Sequence, residues 1–262
     1  MKTTTNSGNA PINGISMYYE IHGKEGIPLV LIHGGGSTIA SSFGVLLPLL
    51  GRDHTIVAVE LQAHGRTSDR NLPESFEQDA DDVAALLKYL KIDKANIVGF
   101  SNGGTTTLEI AIRHPMLLNK MVIMSGAYKR DGFINGFFTF MKSATFESMP
   151  QPLKDAYLKV TPSQTGLLNM FNKDKQRMID FKDINEDAIK NIKTPTLFMV
   201  ADKDVVTLEH TIAMSRMIKG ADLIVLPGTH GQFFGEVGSE NVGTQLPKAT
   251  AMLITEFLKR QF

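Results

Sequence analysis

Two glycine-rich runs hold the residues whose types and spacing could do covalent chemistry. Gly99-Phe100-Ser101-Asn102-Gly103 follows the apolar run ANIVGF and precedes the helical run TTTLEIAI, so the pattern G-x-S-x-G sits where a strand turns sharply into a helix. Such a turn exposes the serine hydroxyl, and glycines two residues to either side relieve backbone crowding. His33-Gly34-Gly35-Gly36 directly follows the run PLVLI. Glycines there let backbone N–H groups face a reacting oxygen and hold the negative charge it develops. The same loop could cradle a phosphate, but Ile39 stands where the third glycine of G-x-G-x-x-G belongs and no G-x-x-x-x-G-K-[ST] occurs. Nucleotide binding, and with it a dinucleotide-dependent oxidoreductase, is therefore disfavoured. The chain has no cysteine, so a covalent step needs another nucleophile, and Ser101 is the candidate.

In this order and spacing the two motifs resemble those of the α/β-hydrolase fold superfamily, and the resemblance covers most of the chain. It implies a carboxylate and then a histidine after the serine, each on a loop that follows a late strand. The run TLFMV leads into Ala201-Asp202-Lys203-Asp204-Val205-Val206, and DLIVL leads into Pro227-Gly228-Thr229-His230-Gly231. The superfamily pattern G-D-x-D makes Asp204 the triad acid and leaves Asp202 to the turn, although Ala201 replaces the usual glycine. Asp131, after the run KMVIM, is the nearest candidate for a rarer placement of the acid. Of seven histidines, His230 alone lies on a glycine-flanked loop after the last expected strand, and it is read as the base.

The resemblance also implies an oxyanion hole made by the backbone N–H of Asn102 and one from the Gly34 to Gly36 loop, taken as Gly35. His33 is expected to shape that loop. His64 lies in Glu60-Leu61-Gln62-Ala63-His64-Gly65-Arg66-Thr67, similar to the superfamily segment D-x-x-G-H-G-x-S, and a structural role is expected for it. His22, His54, His114 and His210 read as solvated or helix-end residues. No H-E-x-x-H occurs and no metal is expected; Asp79, Asp81 and Asp82 read as partners of a helix dipole.

The activity implied is that of a serine hydrolase, most simply a carboxylesterase-like enzyme that cleaves the ester bond of a small, mostly apolar substrate through an acyl-enzyme, with no cofactor. A lactonase, a carbon–carbon bond hydrolase or a perhydrolase could share the triad. The alternative from another class is a non-catalytic ligand-binding receptor on the same fold.

The elements that must position these residues alternate in type. Pro28 to His33, Thr55 to Val59, Ala95 to Phe100, Lys120 to Met124, Thr196 to Val200 and Ala221 to Leu226 are short and nearly continuously apolar, as in strands buried on both faces. Ile15 to Ile21 alternates as an edge or half-exposed strand does. Between them, Phe76 to Leu90, Thr105 to Arg113, Leu208 to Ile218 and Val242 to Leu258 have helical period. The expected fold is α/β, a mainly parallel sheet covered by helices on both faces. Residues 128–191 break the rhythm and read as an inserted helical cap, so that 1–127 and 192–262 form the core domain. Within the cap, Phe133, Phe137, Phe138 and Met141 are expected to line an apolar pocket above Ser101, and the other aromatic and methionine residues, Phe140, Phe146, Met149 and Phe171 among them, to pack the cap onto the sheet.

With 262 residues, 42% of them hydrophobic, the chain can bury a sizeable core. Its 27 basic and 27 acidic residues leave no net charge, which disfavours nucleic acid and anionic membranes as partners. The expected partner is a small ester-like molecule, and the expected assembly a monomer or homodimer. The start MKTTTNSGNAPINGI has no signal-peptide core, and no run approaches the ~18 apolar residues of a membrane span. A soluble, cytoplasmic protein is expected.

Overall fold

The computed structural model describes residues 5–23, 26–239 and 244–262. The first four residues of the N-terminal run, and Val242 at the expected start of the last helix, lie outside them. In chain order the elements are β1 (Thr5–Ile12), β2 (Ile15–His22), β3 (Leu29–Ile32), α1 (Ile39–Phe43), α2 (Leu46–Leu50), β4 (Ile56–Val59), α3 (Phe76–Tyr89), β5 (Ala95–Phe100), α4 (Asn102–Arg113), β6 (Leu118–Met124), α5 (Phe137–Ser143), α6 (Gln151–Val160), α7 (Gln164–Ile179), α8 (Glu186–Lys190), β7 (Thr196–Lys203), α9 (Leu208–Met217), β8 (Asp222–Thr229) and α10 (Leu246–Lys259).

The strands form one eight-stranded sheet in the order β1-β2-β4-β3-β5-β6-β7-β8. From β4 to β8 all neighbours run parallel, and only the β1–β2 and β2–β4 pairs are antiparallel. Strands β3, β4 and β5 and most of β6 and β7 are buried on both faces, which is why their sequences are apolar without alternation. One face packs Val83 and Leu86 of α3, Leu108 of α4 and Met214 of α9 against Val30, Val57 and Ile97. The other packs Phe43 of α1, Leu46 and Leu50 of α2 and Ile254 of α10 against Leu31, Ala58 and Val98.

One strand is added to the expectation and one differs from it. Ile15 to Ile21, expected as an edge or half-exposed strand, is half-exposed and lies one strand in from the edge, because β1 pairs with it along its whole length through the tight turn Asn13-Gly14, whose φ angles are 43° and 85°. That dipeptide is the strongest short hairpin signal, and it marks a strand the polar sequence TNSGNAPI conceals. Strand β8 is half-buried to exposed along its length and not buried on both faces. It is the last strand of the sheet and is paired on one side only.

Chain order reverses direction across the sheet between β3 and β5: β3 connects to β4 on one side, and β5 returns on the other. A crevice opens at such a switch point beyond the C-terminal ends of the strands. Both glycine-rich runs follow these two strands, so topology alone brings them together. Between β6 and β7 come α5 to α8 and no strand, only an isolated bridge from Phe133 to Val206. Two small apolar clusters fill this segment, one around Tyr157, Leu167 and Met170 and one around Phe76, Met178 and Phe181.

Candidate active site

Ser101 ends β5 with φ 53° and ψ −117°, a backbone conformation a side chain rarely adopts. The neighbouring glycines permit it by absence: a Cβ on Gly99 would collide with the Gly103 carbonyl and the Thr107 hydroxyl, and one on Gly103 with the carbonyls of Ile32 and His33. Helix α4 thus starts pressed against the end of β3, and the Ser101 hydroxyl is left facing His230. Ser101 Oγ lies 3.0 Å from His230 Nε2, and His230 Nδ1 lies 2.6 Å from Asp204 Oδ1. Asp204 itself is fixed from three sides, by the Ser125 hydroxyl donating to Oδ2 at 2.6 Å and by the amides of Val206 at 3.2 Å and Ala201 at 3.4 Å.

Burial pushes the Asp204 carboxyl up, but the His230 charge and these hydrogen bonds outweigh it and hold it below the usual carboxylate range. Burial pulls His230 down, while the Asp204 charge and hydrogen bond more than restore it and leave it above 6.5. Asp202 lies elsewhere, accepting the Gly228 amide at 2.7 Å in the turn, and Asp131 is exposed on the loop before α5.

The glycine loop after β3 passes over Ser101. Its Gly34 amide donates to the Ser42 hydroxyl and its Gly36 amide to Asp174 Oδ2. The amides of Gly35 and Asn102 have no hydrogen-bond partner among the described residues, and both residues line a cavity over Ser101. That cavity, about 410 Å³, is walled by side chains of the segment between β6 and β7, including Phe133, Phe137, Phe140, Met141, Met149 and Phe171. Phe140, Met149 and Phe171, which sequence alone assigns to packing, face the cavity. Phe138, expected in the pocket, stands outside it, beneath the Arg130 guanidinium at 3.6 Å, because α5 turns that side of itself away.

A second histidine-aspartate pair lies beside the first. His64 Nε2 is 2.8 Å from Asp174 Oδ2, and Asp174 also takes Arg177 and, at 3.4 Å, the Asn102 side-chain amide. Arg177 reaches on to Asp79 at 2.7 Å and Glu74 at 3.6 Å. The sequence holds no sign of this: Asp174 and Arg177 are two charges one turn apart on α7, and a helix dipole is the expectation for Asp79 and Asp82. Both aspartates are buried, Asp79 on Arg177 and Asp82 on Arg70. Burial raises Asp79 to about 6 and Glu74 to about 7, whereas the His64 and Arg177 charges hold Asp174 low against burial.

The ring partners fix the charge of each histidine near the site. His33 donates from Nδ1 to the Gly34 carbonyl at 2.7 Å and accepts the Leu61 amide on Nε2 at 3.0 Å, so it is neutral, and burial lowers it to about 3. His64 faces an acceptor on both nitrogens, the Gln62 carbonyl at 2.8 Å and Asp174, so it is a cation. Burial opposes that charge, but Asp174 raises His64 to about 9. His230 has an acceptor on one side and a hydroxyl on the other, so it alone can take a proton. His210, expected to be solvated or at a helix end, lies in the first turn of α9 and is buried, stacked on Tyr128 at 4.6 Å and lowered to about 4 by that burial. Among the described residues no group of three or more His, Asp or Glu could hold a metal ion, and no helix is long and apolar enough to cross a membrane.

Residues 27–153 match the family description "alpha/beta hydrolase fold", and solved structures of such hydrolases superpose on nearly the whole chain. One is a mutant form of the meta-cleavage product hydrolase CumD of Pseudomonas fluorescens IP01 complexed with acetates, 22% identical, with a TM-score of 0.77 over 97% of each chain. The chain has the α/β-hydrolase fold. Similar proteins include the human serine hydrolase BPHL, 27% identical over 87% of this chain and 81% of that protein. They also include a 2-hydroxymuconate semialdehyde hydrolase of Pseudomonas sp. strain CF600, 24% identical over 89% and 87%. This α/β-hydrolase chain is accordingly a hydrolase enzyme.

Proposed function

We propose that the protein is a serine hydrolase that cleaves the ester bond of a small, mostly apolar substrate, in the manner of a carboxylesterase. The observation that carries the reading is the continuous Ser101–His230–Asp204 hydrogen-bond chain opening into an apolar cavity. Ser101 attacks the carbonyl carbon as His230 takes its proton; Asp204 holds the imidazole tautomer and stabilises the imidazolium. The amides of Gly35 and Asn102 receive the oxyanion, each donor lowering the barrier by roughly 3 kcal/mol. His230 then protonates the leaving alcohol, and water, activated by the same base, releases the acid. Residues 128–191 act as the cap that walls the acyl site.

Carbon–carbon cleavage of a meta-cleavage product is the second reading, favoured by the likeness to CumD and to the hydroxymuconate semialdehyde hydrolase. An anionic substrate of that kind needs a cation. Lys175, at the cavity wall, gives one N–H to the Ala144 carbonyl at 2.6 Å and keeps its charge, whereas Arg177 is paired with Asp174 and Asp79. The mainly aromatic and methionine wall favours the neutral ester.

The test is hydrolysis of p-nitrophenyl esters from acetate to decanoate by the wild type and Ser101→Ala. Turnover that peaks at a short to medium chain and vanishes in the variant supports the reading. Wild-type protein that reacts with a fluorophosphonate but turns over none of the esters moves the assignment to the second reading.

A further inference from the structure

A second cavity of about 600 Å³ meets the apolar one at the nucleophile. The two share Gly35, Ser101, His230, Pro150 and Leu153, but the second extends under the loop after β8 and is lined there by Thr229, Gln232 and Glu236. We propose that it holds the alcohol half of the substrate and that Glu236 accepts a hydrogen bond from a hydroxyl on that half. The inference deepens the ester reading, on which it rests, by naming the leaving group: a short alcohol with a second hydroxyl.

Three observations carry it. The hydroxyls of Ser37 and Ser42 both donate to the same oxygen of Glu236, Oε1, at 3.0 and 3.2 Å. The other oxygen, Oε2, has no hydrogen-bond partner among the described residues and lies across Gly231, where a Cβ would come within 2.5 Å of it. Glycine at 231 therefore leaves room for a carboxylate oxygen directly beside the base, in the cavity wall. Glu236 is half-buried and Oε2 stays within reach of water, so a ligand hydroxyl there replaces a water on an acceptor whose other oxygen is already held. Burial pushes Glu236 up to about 7 against the pull of His230 and the two serines.

The geometry also assigns the two halves of the substrate. A leaving alcohol must reach His230, which protonates it, and the aromatic and methionine walls of the first cavity suit the acyl chain better than a polar alcohol. With Ser101 at the junction, the scissile carbonyl sits between an apolar and a polar chamber.

The experiment compares 2-hydroxyethyl and 2-methoxyethyl hexanoate, which differ in the terminal donor, at pH 8.5, where Glu236, raised to about 7, is ionised. The wild type is expected to prefer the hydroxyethyl ester by about tenfold in kcat/KM, the value of one hydrogen bond to a charged acceptor. In Glu236→Met that ratio falls to near one, whatever happens to the two absolute rates. A wild-type ratio near one, or a ratio that persists in Glu236→Met, overturns the alcohol site while p-nitrophenyl hexanoate hydrolysis leaves the ester reading standing. Loss of all ester turnover in the wild type overturns both.

Should the variant not fold, the wild type decides alone. Ethane-1,2-diol should intercept the acyl-enzyme formed from p-nitrophenyl hexanoate several-fold faster than 2-methoxyethanol does, giving the hydroxyethyl ester and free Ser101. Equal interception contradicts the proposal.

Discussion

The molecule holds two histidine-aspartate pairs side by side, with ring-to-carboxylate distances of 2.6 Å in His230–Asp204 and 2.8 Å in His64–Asp174. Both carboxylates are held low and both histidines raised. What separates them is the other ring nitrogen. His230 Nε2 meets a hydroxyl, which can give a proton; His64 Nδ1 meets the Gln62 carbonyl, which can only accept one. The first pair can cycle between neutral and charged, and the second is locked as an ion pair. A short histidine-aspartate contact therefore says little about catalysis until the partner of the second nitrogen is known.

The pairs also differ in what they join. Ser101, Asp204 and His230 stand at the ends of β5, β7 and β8, on a sheet whose interior is already rigid. The His64–Asp174–Arg177 cluster bridges that sheet to α7, and through the Gly36 amide it holds one end of the glycine loop. One pair is proposed to do the chemistry, and the other fastens α7 to the glycine loop beside it.

The sharpest way to break this contrast is to neutralise the acid of each pair. Asp204→Asn should lower kcat by about 10⁴-fold with little change in melting temperature, since the wrong imidazole tautomer is then favoured. Asp174→Ala should do the reverse. It strands Arg177 and the His64 cation in a buried site and is expected to cost about 3–5 kcal/mol of stability, read by thermal or urea unfolding. If Asp174→Ala proves fully stable, the reading of this pair as a structural ion pair falls.

The pairs should also titrate in different observables. His230 works as the neutral base and its folded value lies above 6.5, so kcat/KM should fall as pH drops through that value. His64, raised to about 9 from 6.5, contributes stability that is fully present below about 6.5 and lost as pH rises through about 9. Melting temperature should decline between pH 7.5 and 9.5 in the wild type and decline less in His64→Gln. Ser125→Ala is a smaller perturbation. It removes one donor from the Asp204 carboxylate and should lower kcat/KM by roughly tenfold, with the acid limb of the pH profile displaced.

Sequence reading serves the two regions unequally. Ser101, Asp204 and His230 are legible because each follows a run of continuous apolar residues, and because glycines stand two residues to either side of Ser101 and around His230, patterns imposed by the backbone locally. Strand β1 carries its signal in Asn13-Gly14, although its polar residues hide it. The His64 cluster is not legible, because a buried charge looks like an exposed one until its partners arrive from elsewhere in the chain: Asp174 is 110 residues from His64, and Arg177 is 98 from Asp79. Phe138 is misplaced for a related reason. In a segment rich in phenylalanine, composition announces an apolar wall, but only the orientation of α5 decides that Phe137 and Phe140 face the cavity and Phe138 does not. Glu236 has a faint signal, a lone acid in the run QFFGEV, but its meaning depends on Ser37 and Ser42 some two hundred residues away.

The central claim is that His230, and not His64, activates Ser101. It is tested most directly by the rate of fluorophosphonate labelling as a function of pH in the wild type, His230→Gln and His64→Gln. The account predicts labelling confined to Ser101, rising with pH through a midpoint above 6.5, abolished in His230→Gln and keeping the same midpoint in His64→Gln. Labelling that survives His230→Gln with its pH dependence intact, or that loses it in His64→Gln, would contradict it.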